Sequence, residues 1–466
     1  MKRLSIAVAA ALLGACVSVP ERATHEALST GVSERTGVKL ERTTDEAGAQ
    51  AAAALVEELL AAPLSRDAAV RVAVASNRGF QAQFAALGAA ASDFHAALVP
   101  PNPVLEIGAI WASGGGGPAW EFGLTQSVMA LLTRPARRGL AEATLQERQL
   151  VALETTLALL NEVEQAWIHA VADAEIATLL ETAEEITGAG LVAAQALSEV
   201  GNIARIELAR ERTLHEETRL RAARAETRAV ASREALVRHL GLWERAADLQ
   251  LPAQLPTAEP VSLPQDMEGE AVLASLRLAQ MESAVVAAAR QARLTDGTAL
   301  LPHLELGLHF ERERDGDREW GPSLEFELPV FDQGLGRRAG AMARLEEQRH
   351  RWWQSAVEVR SFSRSGAFAL LAAAEQAEHA RNVLLPLAAE LLDLTVRDWN
   401  AMMAGPFELL DARRGQLTAA LHDVESRREY WLAALQVEHL RRGGAASGAP
   451  HQSAAFAAAP ERGKGH

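Results

Sequence analysis

Carboxylates dominate the residues that could do chemistry in this chain. Glu408 and Asp411 stand three positions apart, so on a helix they share a face. Glu106, Glu121, Glu305, Glu325 and Glu327 recur within four short segments. Carboxylates could act there as general acids and bases. They could equally line a solvated passage and draw cations into it. The acid–base reading has no supporting constellation, because no nucleophile elbow, phosphate-binding loop or Cys/His metal spacing accompanies them. Met402-Met403 offers thioethers to a soft metal, although apolar filling or a helix end is the commoner use of such a pair. His451 and His466 belong to a Gly/Ala-rich tail and read as solvated. An enzyme is therefore the poorest reading, and no cofactor or resident metal is expected.

The segments that carry the glutamates alternate strictly. Leu105, Ile107, Ala109 and Trp111 share one parity, with Glu106 and Gly108 on the other. Trp120, Phe122, Leu124 and Val128 alternate with Glu121, Gly123, Thr125 and Ser127. Leu304, Leu306, Leu308 and Phe310 alternate with His303, Glu305, Gly307 and His309. Trp320, Leu324, Phe326 and Leu328 alternate with Gly321, Ser323, Glu325 and Glu327. Period two means strands. Runs of about nine or ten residues, apolar on one face and with tryptophans near one end, are what a tilted membrane strand needs. Half-buried hairpins of a soluble α+β protein would show the same period. Four strands close no barrel, and open edges cannot face lipid, so several chains must pool them.

The elements around the strands are helical and long. Of 466 residues, 48% are hydrophobic but only 5% aromatic, so helices packed through small side chains are favoured. The net charge of −15 disfavours a nucleic-acid partner. One helix is expected from Asp67 to Ala97 and another from Glu268 to Thr295, each stopped by proline. After each strand pair comes a long stretch that reads as two long helices. The first is interrupted near Gly188-Ala189-Gly190 and Gly201-Asn202, the second near Gly405-Pro406. Gly201 and Gly405 are the expected turns between paired helices, with Pro406 in a first helical turn.

The order repeats. Leu105-Glu106-Ile107-Gly108 matches Leu304-Glu305-Leu306-Gly307, Arg137-Arg138 matches Arg337-Arg338, and Ala209-Arg210 matches Ala412-Arg413, at offsets of 199, 200 and 203. A near-constant offset at three separated points marks a doubled unit. The start of the chain is a third signal. Met1-Lys2-Arg3 and the apolar run Leu4–Ala15 read as a signal peptide too short to span a bilayer. Leu13-Gly14-Ala15-Cys16 resembles the bacterial lipobox, in which Cys16 is acylated; an ordinary cleavage site is the alternative. The expected organisation is signal peptide 1–15, a partly extended lipidated arm 16–64 and a first repeat 65–250 with strands about 103–112 and 119–128. A linker 251–266 follows, then a second repeat 267–442 with strands about 303–313 and 319–328, and a disordered tail 443–466.

With these features in place, residues 60 to 442 resemble the TolC family of outer-membrane efflux proteins. Two motifs carry the resemblance: Leu328-Pro329-Val330-Phe331-Asp332-Gln333-Gly334, which links the last strand to a helix, and Ala404-Gly405-Pro406-Phe407-Glu408-Leu409-Leu410-Asp411-Ala412-Arg413, which opens the final long helix. The first-repeat counterparts depart from them: Leu132-Thr133-Arg134-Pro135 stands for the first, and Ile206-Glu207-Leu208-Ala209-Arg210 lacks the Asp. The resemblance implies a mainly α fold with a small β part. It implies a homotrimer whose pooled strands close a twelve-stranded barrel in the outer membrane and whose helical hairpins form a periplasmic α-barrel. A periplasmic adaptor protein and an inner-membrane transporter are the implied partners, with most of each chain in the periplasm. Glu408 and Asp411 match the family's constriction at the periplasmic tip, and Gly201, Asn202, Gly405 and Pro406 fall where an adaptor docks. A solvated helix-start pair favoured by the helix dipole is the plainer account of the two acids. Drug or metal-ion efflux is the expected service. Type I protein secretion uses the same channel, and a non-pore periplasmic helical scaffold is the rival from another class.

Overall fold

The computed structural model describes residues 21–40, 46–111, 113, 118–243, 245–312 and 317–445. The signal peptide, Cys16, the tail histidines, and the runs Gly114–Gly117 and Asp315-Gly316 between paired strands lie outside the described residues.

The N-terminal arm departs from expectation. Where an extended segment was anticipated, helices α1 (Glu21–Thr36) and α2 (Glu46–Leu60) form. Leu28, Val32, Val56 and Leu60 are buried, so tertiary packing overrides the polar composition of α1. Arg35 holds the arm down by donating to Ala274 O at 3.1 Å and Arg442 O at 2.8 Å.

The two helices that precede the strands are each broken once. The first is α3 (Arg66–Ser76) and α4 (Arg78–Leu98), interrupted at Asn77. Asn77 Oδ1 accepts from Gly79 N–H at 2.7 Å, while its amide donates to His239 O at 2.6 Å. The second is α8 (Met267–Ala274) and α9 (Leu276–Gly297), interrupted at Ser275, whose Oγ accepts from Leu278 N–H. Leu276 N–H donates to Gly443 O at 3.0 Å. In both cases the break satisfies carbonyls at the C-terminus of a long helix, groups that helix cannot satisfy itself. Proline-free periodicity did not reveal either break.

Four strands form one antiparallel sheet in the order β1 (Val104–Ile110), β2 (Ala119–Ser127), β3 (Leu304–Arg312), β4 (Arg318–Phe326). Val128, expected in the second strand, instead begins the short helix α5 (Val128–Leu132), which Ser127 Oγ caps at Ala130 N–H. Glu327 lies one residue past β4. The long helices are α6 (Arg134–Glu199) and α7 (Arg205–Leu240), then α10 (Leu335–His379), α11 (Leu385–Asn400) and α12 (Pro406–Arg441). The 66 residues of α6 run unbroken, about 100 Å at the usual rise. The expected interruption at Gly188–Gly190 is absent. A Cβ on Gly190 would come within 3.3 Å of Leu410, so close packing explains that glycine.

Between α10 and α11 lies a π turn, Ala380–Leu384, in which Leu385 N–H reaches back to Ala380 O. Pro386 follows in the first turn of α11 and supplies no N–H, so one bond of the ladder is missing where the π turn meets the α-helix. The core is confined to the middle lengths of the helices. Leu87, Leu157, Ile168, Leu236, Leu240, Leu276 and Leu435 are its largest fully buried helical aliphatics.

Candidate functional site

Three places concentrate function-bearing residues: the sheet, the helix tips at the far end of α6, and a buried charge cluster between them.

The sheet register sorts the strands into two faces. Leu105 pairs with Leu124, Ile107 with Phe122 and Ala109 with Trp120. Phe122 then pairs with Phe310 and Leu124 with Leu308, and Leu306 pairs with Leu324 and Phe310 with Trp320. This apolar face is bare: Leu105 is 63% exposed, Trp320 77% and Leu324 62%. Trp111, Trp120 and Trp320 gather at the hairpin-turn end, where Arg312 pairs with Arg318. Nine-residue strands span about 30 Å along their length, enough for a tilted crossing of an apolar band.

The other face carries Glu106, Glu121, Glu305 and Glu325 as expected, together with Glu311 and Glu319. Those two were missed, although the same parity count reaches them. Glu305 sits opposite Glu325, Glu311 opposite Glu319, and Glu121 opposite Glu311. Like charges facing each other across strands repel, so this face needs water and counter-cations. Glu327, beyond the strand, reaches His303 at 3.8 Å. Among the described residues, β1 and β4 each have a neighbour on one side only.

At the tip, two loops join the long helices by the same bonding pattern. After α6, Gly201 N–H donates to Ser198 O and Asn202 N–H to Leu197 O at 2.8 Å. After α11, Met402 N–H donates to Trp399 O and Met403 N–H to Asp398 O at 2.8 Å. This is the Schellman arrangement, which needs one left-handed residue. Gly201 takes it with φ +74°, and Met402 takes it with φ +61°. The expected equivalence of Gly201 and Gly405 is thus corrected. Gly405 is an N-cap with φ −86°, and its counterpart is Ala204. Pro406 occupies the first turn of α12, as its missing N–H favours.

Glu408 and Asp411 both lie exposed on the first turns of α12. Glu408 folds back to accept from Gly405 N–H at 2.8 Å, the return half of a capping box, since glycine has no side chain to supply the other half. Asp411 pairs with Arg414 at 3.0 Å. Met402 and Met403 are exposed beside them. Nearby α11 buries nothing and exposes Leu387, Leu391 and Leu394 at steps of four and three.

Midway along the helices, Arg427 is buried in a charge cluster. Its guanidinium donates to Asp423 at 2.8 Å, to Glu175 at 2.7 Å and to Leu255 O at 2.6 Å. Glu175 also accepts from Leu255 N–H. Arg428 and Arg228 both pair with the buried Asp173, at 3.2 and 3.1 Å. Tyr430 donates to Glu259 O and Trp431 to Pro256 O. The segment between the halves is thereby strapped to α6 and α12. Burial, then the nearby Arg442, pushes the His439 imidazole down to about 4. Burial raises the Glu164 carboxyl despite Arg442 and Arg66 beside it. Sequence pattern did not single out Arg427, because its role depends on a partner 252 residues away.

Long helical hairpins hung from a small antiparallel sheet, bare on its apolar face, define the fold of TolC-type outer-membrane channels. Solved structures agree on that fold. The Campylobacter jejuni outer-membrane channel CmeC superposes with a TM-score of 0.67 at 16% identity, over 82% of this chain and 86% of that one. The outer-membrane protein VceC of Vibrio cholerae gives 0.63 at 13%, over 85% and 97%. The open-state outer-membrane channel MtrE of Neisseria gonorrhoeae gives 0.57 at 14%, over 81% and 89%. No protein-family model and no curated relative matches the sequence.

Proposed function

We propose that this chain is a TolC-family subunit of a passive outer-membrane channel in a tripartite efflux system, not an enzyme. The observation that carries this reading is the sheet. One face is continuous exposed Leu, Phe and Trp, the other is ringed with glutamates, and both edges are open. Water cannot cover such an apolar face without large loss, and lipid cannot tolerate such edges. Three chains pooling their strands close a barrel, with the glutamates around an aqueous lumen and the aromatic belt at the outer interface. The doubled helical unit then supplies a periplasmic tunnel. Cys16 carries the lipid anchor, and the tip loops at Gly201-Asn202 and Gly405-Pro406 receive a periplasmic adaptor that couples the conduit to an inner-membrane transporter. Drugs or metal ions are the cargo class.

Glu408 and Asp411, repeated by three chains, place six carboxylates around the tip. That ring attracts cations and gates the tunnel. Purified protein reconstituted in planar bilayers should form cation-preferring pores, and an absence of pores would sink the channel reading. Glu408→Ala with Asp411→Ala should raise conductance and weaken blockade by multivalent cations. Unchanged conductance and blockade would remove the gate assignment while leaving the pore.

A further inference from the structure

A cavity of about 670 Å³ lies where the N-terminal arm crosses the helical bundle, far along α6 from both the sheet and the tips. Its walls come from the end of α1, from α2 and α3, and from α6 at Leu160 and Glu164. The size falls in the range of small-ligand sites.

The chemistry of the walls is divided. Val38, Leu55, Val70, Val74 and Leu160 make an apolar slot. Glu164 and Arg442 lie at its buried end, where Arg442 approaches Glu164 at 3.4 Å and Arg66 approaches it at 3.6 Å. Those charges answer one another. The exposed part of the lining is different. Lys39 and Arg71 line the cavity and are both exposed, as is Asp67, and neither cation forms an ion pair among the described residues. Asp67 also lines the cavity, one helical turn before Arg71, without pairing with it.

We propose that this cavity binds a single-chain amphiphile with an anionic head, its tail along the Val70–Val74 face of α3 and its head between Lys39 and Arg71. A small polar anion would leave the apolar slot wet. A neutral hydrocarbon would bury the slot but leave the two cations unanswered at its mouth. A head-and-tail molecule satisfies both walls, and carboxylate and phosphate heads offer the same charge and acceptor chemistry. The bound molecule would tie α2 to α3 and so splint the arm against the bundle.

The test uses the full chain in lipid nanodiscs and a diazirine-bearing palmitate, with labelled peptides mapped by mass spectrometry. Label should appear within 66–77 and 46–60. Lys39→Glu with Arg71→Glu should reduce that label at least about tenfold, with the thermal unfolding midpoint unchanged because both side chains are exposed. Val74→Trp should occlude the slot and remove the label as well. Unlabelled palmitate or lysophosphatidate should displace it, and the stronger competitor identifies the head. Hexadecanol should not. Absence of label at these peptides, label indifferent to the double reversal, or equal displacement by hexadecanol would overturn the proposal. The bilayer conductance test does not involve this cavity, so the two readings fail separately.

Discussion

The middle of the molecule and its two ends are built on opposite terms. In the middle, Arg427, Glu175, Asp423 and Asp173 are buried and almost fully answered, and Tyr430 and Trp431 direct their polar atoms to backbone carbonyls. At the ends, large apolar side chains stand in the open: Trp320, Leu324 and Phe331 near the sheet, and Met402 and Met403 at the tip. Of that cluster only Asp423 Oδ1 is left without a hydrogen-bond partner among the described residues. The middle also exposes Leu273, Trp353 and Phe368, so what sets it apart is that Arg427 and its carboxylates are buried and paired there, whereas the ends carry no such cluster among the described residues.

The largest effect that would break this contrast is at Arg427. Arg427→Met leaves Glu175 and Asp423 buried without their partner and should destabilise by about 3–5 kcal/mol, read from denaturant unfolding. Adding Glu175→Gln and Asp423→Asn should recover much of the loss, because no uncompensated charge remains. A loss below about 1 kcal/mol would show that the middle is no better ordered than the ends.

A second effect is set by pH. The folded His439 imidazole stays neutral down to about 4, whereas the unfolded one takes a proton near its ordinary 6.5. Between those values acid favours the unfolded chain. Stability should therefore fall, by on the order of 3 kcal/mol, as pH drops through that window. His439→Gln should flatten this part of the stability profile.

The smallest effect sharpens the comparison inside one end. The two tip loops share a bonding pattern, but one places glycine and the other methionine in the left-handed position. Gly201→Ala should cost about 1 kcal/mol, and Met402→Gly should gain a similar amount. Local amide hydrogen exchange at each loop would register both. If Met402→Gly stabilises the loop yet weakens pore opening or adaptor binding, the strained methionine is functional.

Much of this was legible in the sequence, and what was hidden has a common cause. Alternation located all four strands and most of the glutamates on their polar face, because period two is a local signal that needs no partner. Apolar and polar parities survived into the register without a slip. The Glu408 and Asp411 face was also legible, though the bond from Gly405 N–H that occupies Glu408 became clear only when Gly405 took the N-cap position. The breaks at Asn77 and Ser275 were hidden, since each serves the end of a distant helix. So was the arm, whose weakly amphipathic α1 is helical because it packs against α4 and α6. Arg427 was hidden for the same reason, being one arginine among many until Leu255 and Glu175 arrive beside it.

An α-helix turns each successive side chain by about 100° about its axis. Closing one turn over five residues at Ala380 therefore adds a single such step to everything that follows. The stripe of Leu387, Leu391 and Leu394 consequently takes a compass bearing about a quarter-circle away from the one that α10 alone would have dictated. One residue in the π turn, two positions before Pro386, sets the azimuth of the whole descending limb.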